Sequence, residues 1–135
     1  MTQTQYEMDA RRTLKECGGR INIQESDTKT APWDESGEFR HHYRVTLRGP
    51  GGSYTFDFWG SIHDAAMGNR ASAYDVLACL EWNLPESFED FCSEFGYDTD
   101  SRKAEATFKA VDKQARALNR IFPQREHRDK LAEIR

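Results

Sequence analysis

Two short runs of alternating apolar and polar residues, separated by four turn-forming residues, constrain this chain most. The runs cover residues 42–48 and 53–59, and the sequence GPGG lies between them. Alternation with a period of two indicates half-buried strands, and glycine with proline favours a tight turn. Because Pro50 is followed by Gly51, we expect a type II turn with a positive φ at Gly51. The sequence therefore predicts a β-hairpin.

The register of this hairpin follows from pairing residue 48 with residue 53. One face then carries three apolar residues from each strand, opposite one another: Tyr43, Val45 and Leu47 against Phe58, Phe56 and Tyr54. On the other face Thr46 lies opposite Thr55, and Arg44 lies opposite Asp57. These two cross-strand pairs are favourable. Because an isolated hairpin is only marginally stable, we expect residues 20–24 to add a third strand and helices to cover the apolar face.

Two helices are predicted directly after the hairpin. Ser72 with Asp75, and Ser87 with Asp90, have the spacing of helix-capping pairs. Apolar residues at helical spacing follow each serine: Ala73, Val76, Leu77 and Leu80 in the first helix, and Phe88, Phe91, Cys92 and Phe95 in the second. Gly96 is expected to end the second helix.

A longer amphipathic helix is predicted over residues 101–122. Its apolar residues are spaced four and three apart and lie within about 80° of one another on a helical wheel: Ala104, Phe108, Val111, Ala115, Leu118 and Phe122. Polar residues at 98–101 supply caps for its first turn. Basic residues on the opposite side form what we call the basic face: Lys109, Lys113, Arg116 and Arg120.

The sequence thus predicts one α+β domain over residues 1–135, with a three-stranded antiparallel sheet packed against a three-helix C-terminal layer. Residues 9–17 are expected to form a further short helix, ended by Gly18 and Gly19. Residues 1–8 and 124–135 are polar or charged, and we expect them to be flexible tails, the second with a possible additional helical turn.

Charge is distributed unevenly along the chain. The net charge is −4, yet residues 51–100 carry −9 and residues 101–135 carry +5. Such segregation bears on partners more than on fold. One interpretation is a partner-binding acidic surface that engages a basic protein, formed by Glu81, Glu86, Glu89, Asp90 and Glu94. The other is an acidic surface that only keeps the protein soluble.

The basic face permits a second hypothesis, since clustered lysine and arginine residues contact nucleic-acid phosphates. Lys109, Lys113, Arg116 and Arg120 would make those contacts. Alternatively, these residues form an ordinary solvated helix face. Two interpretations of Trp33 are open: it packs the polar loop at residues 25–40 onto the body, or it is an exposed partner contact.

No pattern for a catalytic site, a metal site or a cofactor is found. The DTDS sequence at residues 98–101 lacks the glycine and glutamate of a calcium-binding loop, and no histidine has zinc-site spacing to a cysteine. Cys79 and Cys92 are expected to be buried and unreactive. The chain has no run of about 20 apolar residues and no signal-peptide pattern at its start, so we expect a non-enzymatic cytoplasmic protein without membrane association. The sequence does not define an oligomeric state.

Two blocks resemble a family of small proteins encoded in bacteriophage and mobile-element genomes. They are YRVTL with SYTFDFWGSI, and YDVLACLEW with ESFEDFCSEFGYDTDSRKAEATFKAV. The resemblance covers roughly residues 40–122 and brings no catalytic residues. It implies an accessory protein of a phage or mobile element, acting in the bacterial host by binding a host or phage protein. Inhibition of a host defence system, of the anti-CRISPR or anti-restriction type, is the specific expectation.

Overall fold

A three-stranded antiparallel sheet in the order β1-β2-β3 lies at the centre of the fold. The computed structural model describes residues 2–61, 64, 68, 70–85 and 87–134. Its elements, in chain order, are α1 (Gln3–Glu16), β1 (Arg20–Glu25), β2 (His41–Gly49), β3 (Gly52–Gly60), α2 (Ala73–Ala78), α3 (Phe88–Phe95), α4 (Arg102–Ile121) and α5 (Arg125–Ala132). The predicted α+β class and the three strands are confirmed.

The hairpin register is the predicted one. Every expected row is present, including Tyr43 with Phe58, Val45 with Phe56, and Leu47 with Tyr54. The hydroxyl oxygens of Thr46 and Thr55 lie 3.2 Å apart. Arg44 does lie opposite Asp57, but the Asp57 carboxylate is hydrogen bonded to His42 Nε2 at 2.8 Å.

The predicted turn type is wrong. Positive φ occurs at Gly52, at 138°, and Gly51 is not among the glycines with positive φ. Gly51 is needed for a different reason: its N–H donates to the carbonyl oxygen of Ile121 at 2.9 Å. A Cβ on Gly51 would lie 2.0 Å from the carbonyl oxygen of Arg120. The turn is therefore shaped by its contact with the end of α4.

Serine residues precede α2, α3 and α4, as predicted. Ser72 and Asp75 form a reciprocal capping box. The Ser87 side chain accepts a hydrogen bond from the Asp90 N–H, and Ser101 accepts one from the Ala104 N–H. These bonds satisfy amide groups that have no partner within their own helix. Gly96 ends α3 with a φ of 72°.

The first helix begins earlier than expected, at Gln3 and not at residue 9. Thr2 and Gln5 form a capping box at its start. Ala10 and Leu14 of this helix are buried in the main core. The burial of α1 was not predicted, because this helix has only a few apolar residues among many polar ones.

The main core joins five elements, so the helical layer differs from the three C-terminal helices that we expected. Buried residues of α1, β2, α2, α4 and α5, and of segments next to them, make one cluster: Ala10, Leu14, Cys17, Leu47, Leu77, Leu80, Trp82, Leu118, Ile121, Phe122 and Leu131. Next to it, Val76 of α2 packs with Tyr43 and Val45 of the sheet. The charged segment after residue 123 contributes α5, whose Leu131 is fully buried.

The helix α3 belongs to a separate, smaller cluster. Phe91 and Cys92 are buried against Ala104 of α4, with Phe88, Tyr97, Phe108 and Val111 partly buried around them. The apolar stripe of α4 thus serves two cores, its first half facing α3 and its second half facing the main core. This leaves α3 on the outside of the molecule.

Candidate protein-binding surface

Three carboxylates lie exposed on α3, and we call them the α3 acidic surface: Glu89, Asp90 and Glu94. Their placement follows from the helix itself, because Phe91 and Cys92 turn towards α4 and leave the polar residues outward. Glu81, also predicted for this surface, is exposed in the segment after α2, where its N–H donates to Gln114 Oε1 at 2.7 Å. Glu86 lies outside the described residues.

Phe95 is the unexpected residue of this helix. The apolar spacing predicted it to be in the core, yet it is 58% exposed. Phe88 and Phe91 both pack against Phe108 of α4, with ring centroids 5.4 and 5.5 Å apart. Phe95 contacts the ring of Phe91 in a tilted arrangement, with ring centroids 4.9 Å apart. Cys92, in the same turn, is buried with Ala104 of α4, so exposure of the last turn of α3 is a property of Phe95 and not of the whole turn.

The exposed ring lies between carboxylates around the helix. At about 100° per residue, Glu94 and Glu89 flank Phe95 by about 100° and 120° on its two sides. An apolar ring inside a charged rim is the composition of protein-binding surfaces, in which aromatic residues occupy the centre and polar residues the edge.

The basic face of α4 is largely engaged within the chain. Lys109 pairs with Glu105 at 3.0 Å and Arg116 with Asp112 at 2.9 Å. Arg120 donates to the carbonyl oxygen of Ser53 in β3 at 2.9 Å, so it joins α4 to the sheet. Lys113 is exposed. Carboxylates of the same helix therefore pair with two of the four residues of the basic face.

The cysteines lack the environment of an activated nucleophile. Cys17 and Cys92 are buried, whereas Cys79, predicted to be buried, is exposed because α2 ends at Ala78. Desolvation raises the pKa of all three thiols, and the nearby Asp75 raises the pKa of Cys79 further. A thiol with a raised pKa stays protonated at neutral pH.

Within the described residues, no group of three or more histidine, cysteine, aspartate or glutamate side chains could hold a metal ion. A search of the same part of the chain finds no helix that is long and apolar enough to cross a membrane.

The position of Trp33 decides between packing of the loop onto the body and exposure to solvent. The loop between β1 and β2 is ordered by backbone hydrogen bonds from Lys29 to Arg40 and from Ala31 to Phe39. Ala31 is buried in this loop, while Trp33 is 63% exposed and packs at a tilt against Phe39, with ring centroids 4.9 Å apart. Trp33 therefore does not pack the loop onto the body. The first of the two interpretations drawn from the sequence is thus not the one that the structure shows.

Comparison with protein-family models gives no match, and neither the curated proteins nor the solved structures give one.

Proposed function

We propose that this protein is a non-enzymatic accessory protein of a phage or mobile element that binds a basic protein surface through α3. The observation that carries the proposal is Phe95, which is 58% exposed among the exposed carboxylates of Glu89, Asp90 and Glu94. The partner is a host or phage protein in the cytoplasm of the bacterial host. Inhibition of a defence system, of the anti-CRISPR or anti-restriction type, is the role that we favour.

The two components of this surface would act differently. Carboxylates attract a basic partner over distance and exclude acidic ones, which mainly affects the association rate and the choice of partner. An aromatic ring that becomes buried at the centre of an interface contributes to affinity, and such rings are frequent among the residues that dominate binding. Loss of the carboxylates should therefore slow association, and loss of the ring should speed dissociation.

A defence nuclease is a chemically suitable partner. Proteins that hold nucleic acid do so through clustered lysine and arginine residues, and a negatively charged helix can occupy such a surface in place of phosphates. The phage or mobile-element setting is itself part of the proposal, carried over from the sequence blocks quoted above.

Charge reversal on α3 tests the proposal. The tagged protein and its Glu89→Lys/Asp90→Lys/Glu94→Lys variant would be used to capture proteins from a phage-susceptible bacterial host at low and high salt. A variant with three other exposed acids reversed, Glu16→Lys/Asp27→Lys/Glu133→Lys, has the same net charge and serves as the matched control.

We expect a defined host protein with the wild type and the control at low salt, less of it at high salt, and none with the α3 variant. Expression of the wild type in a defence-proficient host should also restore phage plating, and the α3 variant should not. Equal capture by all three proteins, or no capture at all, would contradict the proposal.

Nucleic-acid binding through the basic face remains the alternative function, with weaker support because Lys109, Arg116 and Arg120 have partners within the chain. A mobility-shift assay at low salt distinguishes the two. A shift there that is lost on Lys109→Glu/Lys113→Glu substitution would favour the alternative, because phosphate contacts are strongest at low salt.

A further inference from the structure

An open cleft of about 800 Å³ lies at the end of the sheet, away from α3. The loop between β1 and β2 contributes Trp33 and Phe39 to its lining, and β3 contributes Asp57 and Trp59. From the sequence we considered Trp33 as an exposed partner contact, but we assigned the other three residues to no site, because these residues are close only through the fold. We call this feature the aromatic cleft.

Both tryptophans of the cleft are positioned by contacts within the chain. The indole N–H of Trp59 donates to the carbonyl oxygen of Lys29 at 2.8 Å, and its ring packs at a tilt against His42, with ring centroids 4.9 Å apart. Trp33 packs at a tilt against Phe39, in a loop in which Asp34 accepts a hydrogen bond from the Phe39 N–H at 2.9 Å. The cleft therefore presents aromatic surface that is already ordered.

Negative charge predominates around these rings. The cleft is lined by four carboxylates and one guanidinium: Glu7, Asp57, Asp64, Asp75 and Arg70. Glu7 and Asp75 are occupied in capping α2, and Arg70 pairs with Glu25 at 3.0 Å. The Asp57 side chain remains 40% exposed while one of its oxygens is bonded to His42. A ligand in this cleft thus meets aromatic rings and an accessible carboxylate.

We propose that the aromatic cleft binds the guanidinium group of an arginine residue on a protein partner. An indole face attracts a cation, and arginine is found on such faces more often than lysine. Guanidinium is also planar, weakly hydrated and able to pair with a carboxylate while it stacks. Exposed Trp33 and Met8, both 63% exposed, border the cleft and would be covered by the protein surface that carries the arginine. The site does not depend on the function proposed for α3.

Three blocked tripeptides test this site directly on the full chain: acetyl-Ala-Arg-Ala-amide and its lysine and citrulline analogues. The chain has three tryptophans, and their indole N–H resonances in a ¹H–¹⁵N spectrum report separately on the cleft and the core. Trp33 and Trp59 are in the cleft, while Trp82 is buried in the main core and is an internal control.

We expect the arginine peptide to shift the Trp33 and Trp59 resonances and to leave Trp82 unchanged. The lysine peptide should bind about threefold more weakly, and the neutral citrulline peptide should show no saturable shift. Trp33→Ala, a substitution at an exposed position, should lower the affinity for the arginine peptide about threefold to tenfold. Asp57→Asn should lower the same affinity by a similar factor. The Glu89→Lys/Asp90→Lys/Glu94→Lys variant should bind it like the wild type, which separates this site from the α3 acidic surface.

The assignment is overturned if the arginine peptide causes no saturable shift, or if citrulline or lysine binds as tightly as arginine. Undiminished binding by both Trp33→Ala and Asp57→Asn would also overturn it, because the peptide would then lie elsewhere. If the α3 variant lost binding while Trp33→Ala kept it, the peptide would bind at α3. That result would also overturn the assignment to the cleft.

Discussion

Gly49 and Gly51 show how single residues set the closest approach between the sheet and α4. A Cβ on Gly49 would lie 2.3 Å from the Ile121 carbonyl oxygen, and one on Gly51 would lie 2.0 Å from that of Arg120. The obstructing atoms are backbone atoms, so they cannot rotate away as a flexible side chain would. Glycine is required here for space and not for a positive φ.

Gly51→Ala is therefore expected to destabilise the protein by about 3 kcal/mol, the upper part of the range for overpacking. Gly37→Ala is a suitable comparison: Gly37 has a φ of 78° with open space around it, so alanine there costs only the left-handed conformation, about 1 kcal/mol. Urea unfolding of both variants measures the difference. Equal losses would show that α4 moves away freely from the turn.

Glu7 connects α1 to the start of α2. Its two carboxylate oxygens accept the Ala73 N–H at 3.1 Å and the Tyr74 N–H at 2.9 Å. Partial burial opposes ionisation, but these bonds and the ion pair with Arg11 outweigh it, so the pKa of Glu7 is lowered from its ordinary value of 4.5. A group with a lowered pKa in the folded state stabilises the protein above that ordinary value and loses the effect as it becomes protonated at lower pH.

Glu7→Gln should consequently cost about 1–2 kcal/mol at pH 7, the range for charge-assisted hydrogen bonds. The difference from wild type should shrink as the pH falls below 4.5, because protonated Glu7 resembles glutamine. Denaturant unfolding at pH 7 and pH 3.5 measures it, with the exposed Glu16→Gln as control. A cost that is independent of pH would assign the loss to packing alone.

Secondary-structure elements were predictable where local rules determine them. The hairpin register follows from alternation and turn length, and the helix starts follow from Ser72, Ser87 and Ser101. Periodicity identified the apolar positions of α3, but it could not show that Phe95 is left 58% exposed in the folded chain. The cleft was not predictable either, because Trp33 and Trp59 are brought together only by tertiary contacts.

The last helix, α5, is part of the core despite its charged sequence. Leu131 is fully buried, and Arg128 Nη1 donates to the carbonyl oxygens of Phe122 and Pro123 at 2.9 and 2.8 Å. Leu131→Ala is expected to cost about 2–4 kcal/mol, as for other buried leucines. The neighbouring exposed Lys130→Ala should change the free energy of unfolding by less than about 0.5 kcal/mol. Thermal or urea unfolding would contradict the account if the two variants behaved alike.

The cluster around α3 should unfold locally, independently of the main core. Because α3 packs with the first half of α4 in a cluster apart from the main core, we expect it to open without exposing the main core. Native-state hydrogen exchange should give amides of Phe91–Phe95 a lower opening free energy than those of Val45 and Leu47, by about 2 kcal/mol or more. Opening of both regions at one common free energy would show a single cooperative unit.

At the scale of the whole molecule, charge and exposed aromatic surface coincide in α3. The segment of residues 51–100 has a net charge of −9, and α3 within it exposes both its carboxylates and Phe95. The positive charge of α4 is partly offset by carboxylates in the same helix. We therefore propose the acidic surface as the one that meets a partner, and we predict that α3 contacts a protein.

Photo-crosslinking from position 95 tests that claim most directly. The chain would be expressed in a phage-susceptible bacterial host with p-benzoylphenylalanine in place of Phe95, or of the exposed Glu133 as control, and adducts would be identified by mass spectrometry. We predict an adduct from position 95 with a protein that has a basic surface, absent from position 133 and lost in the Glu89→Lys/Asp90→Lys/Glu94→Lys background. No adduct from position 95, or an equal yield in that background, would contradict the account.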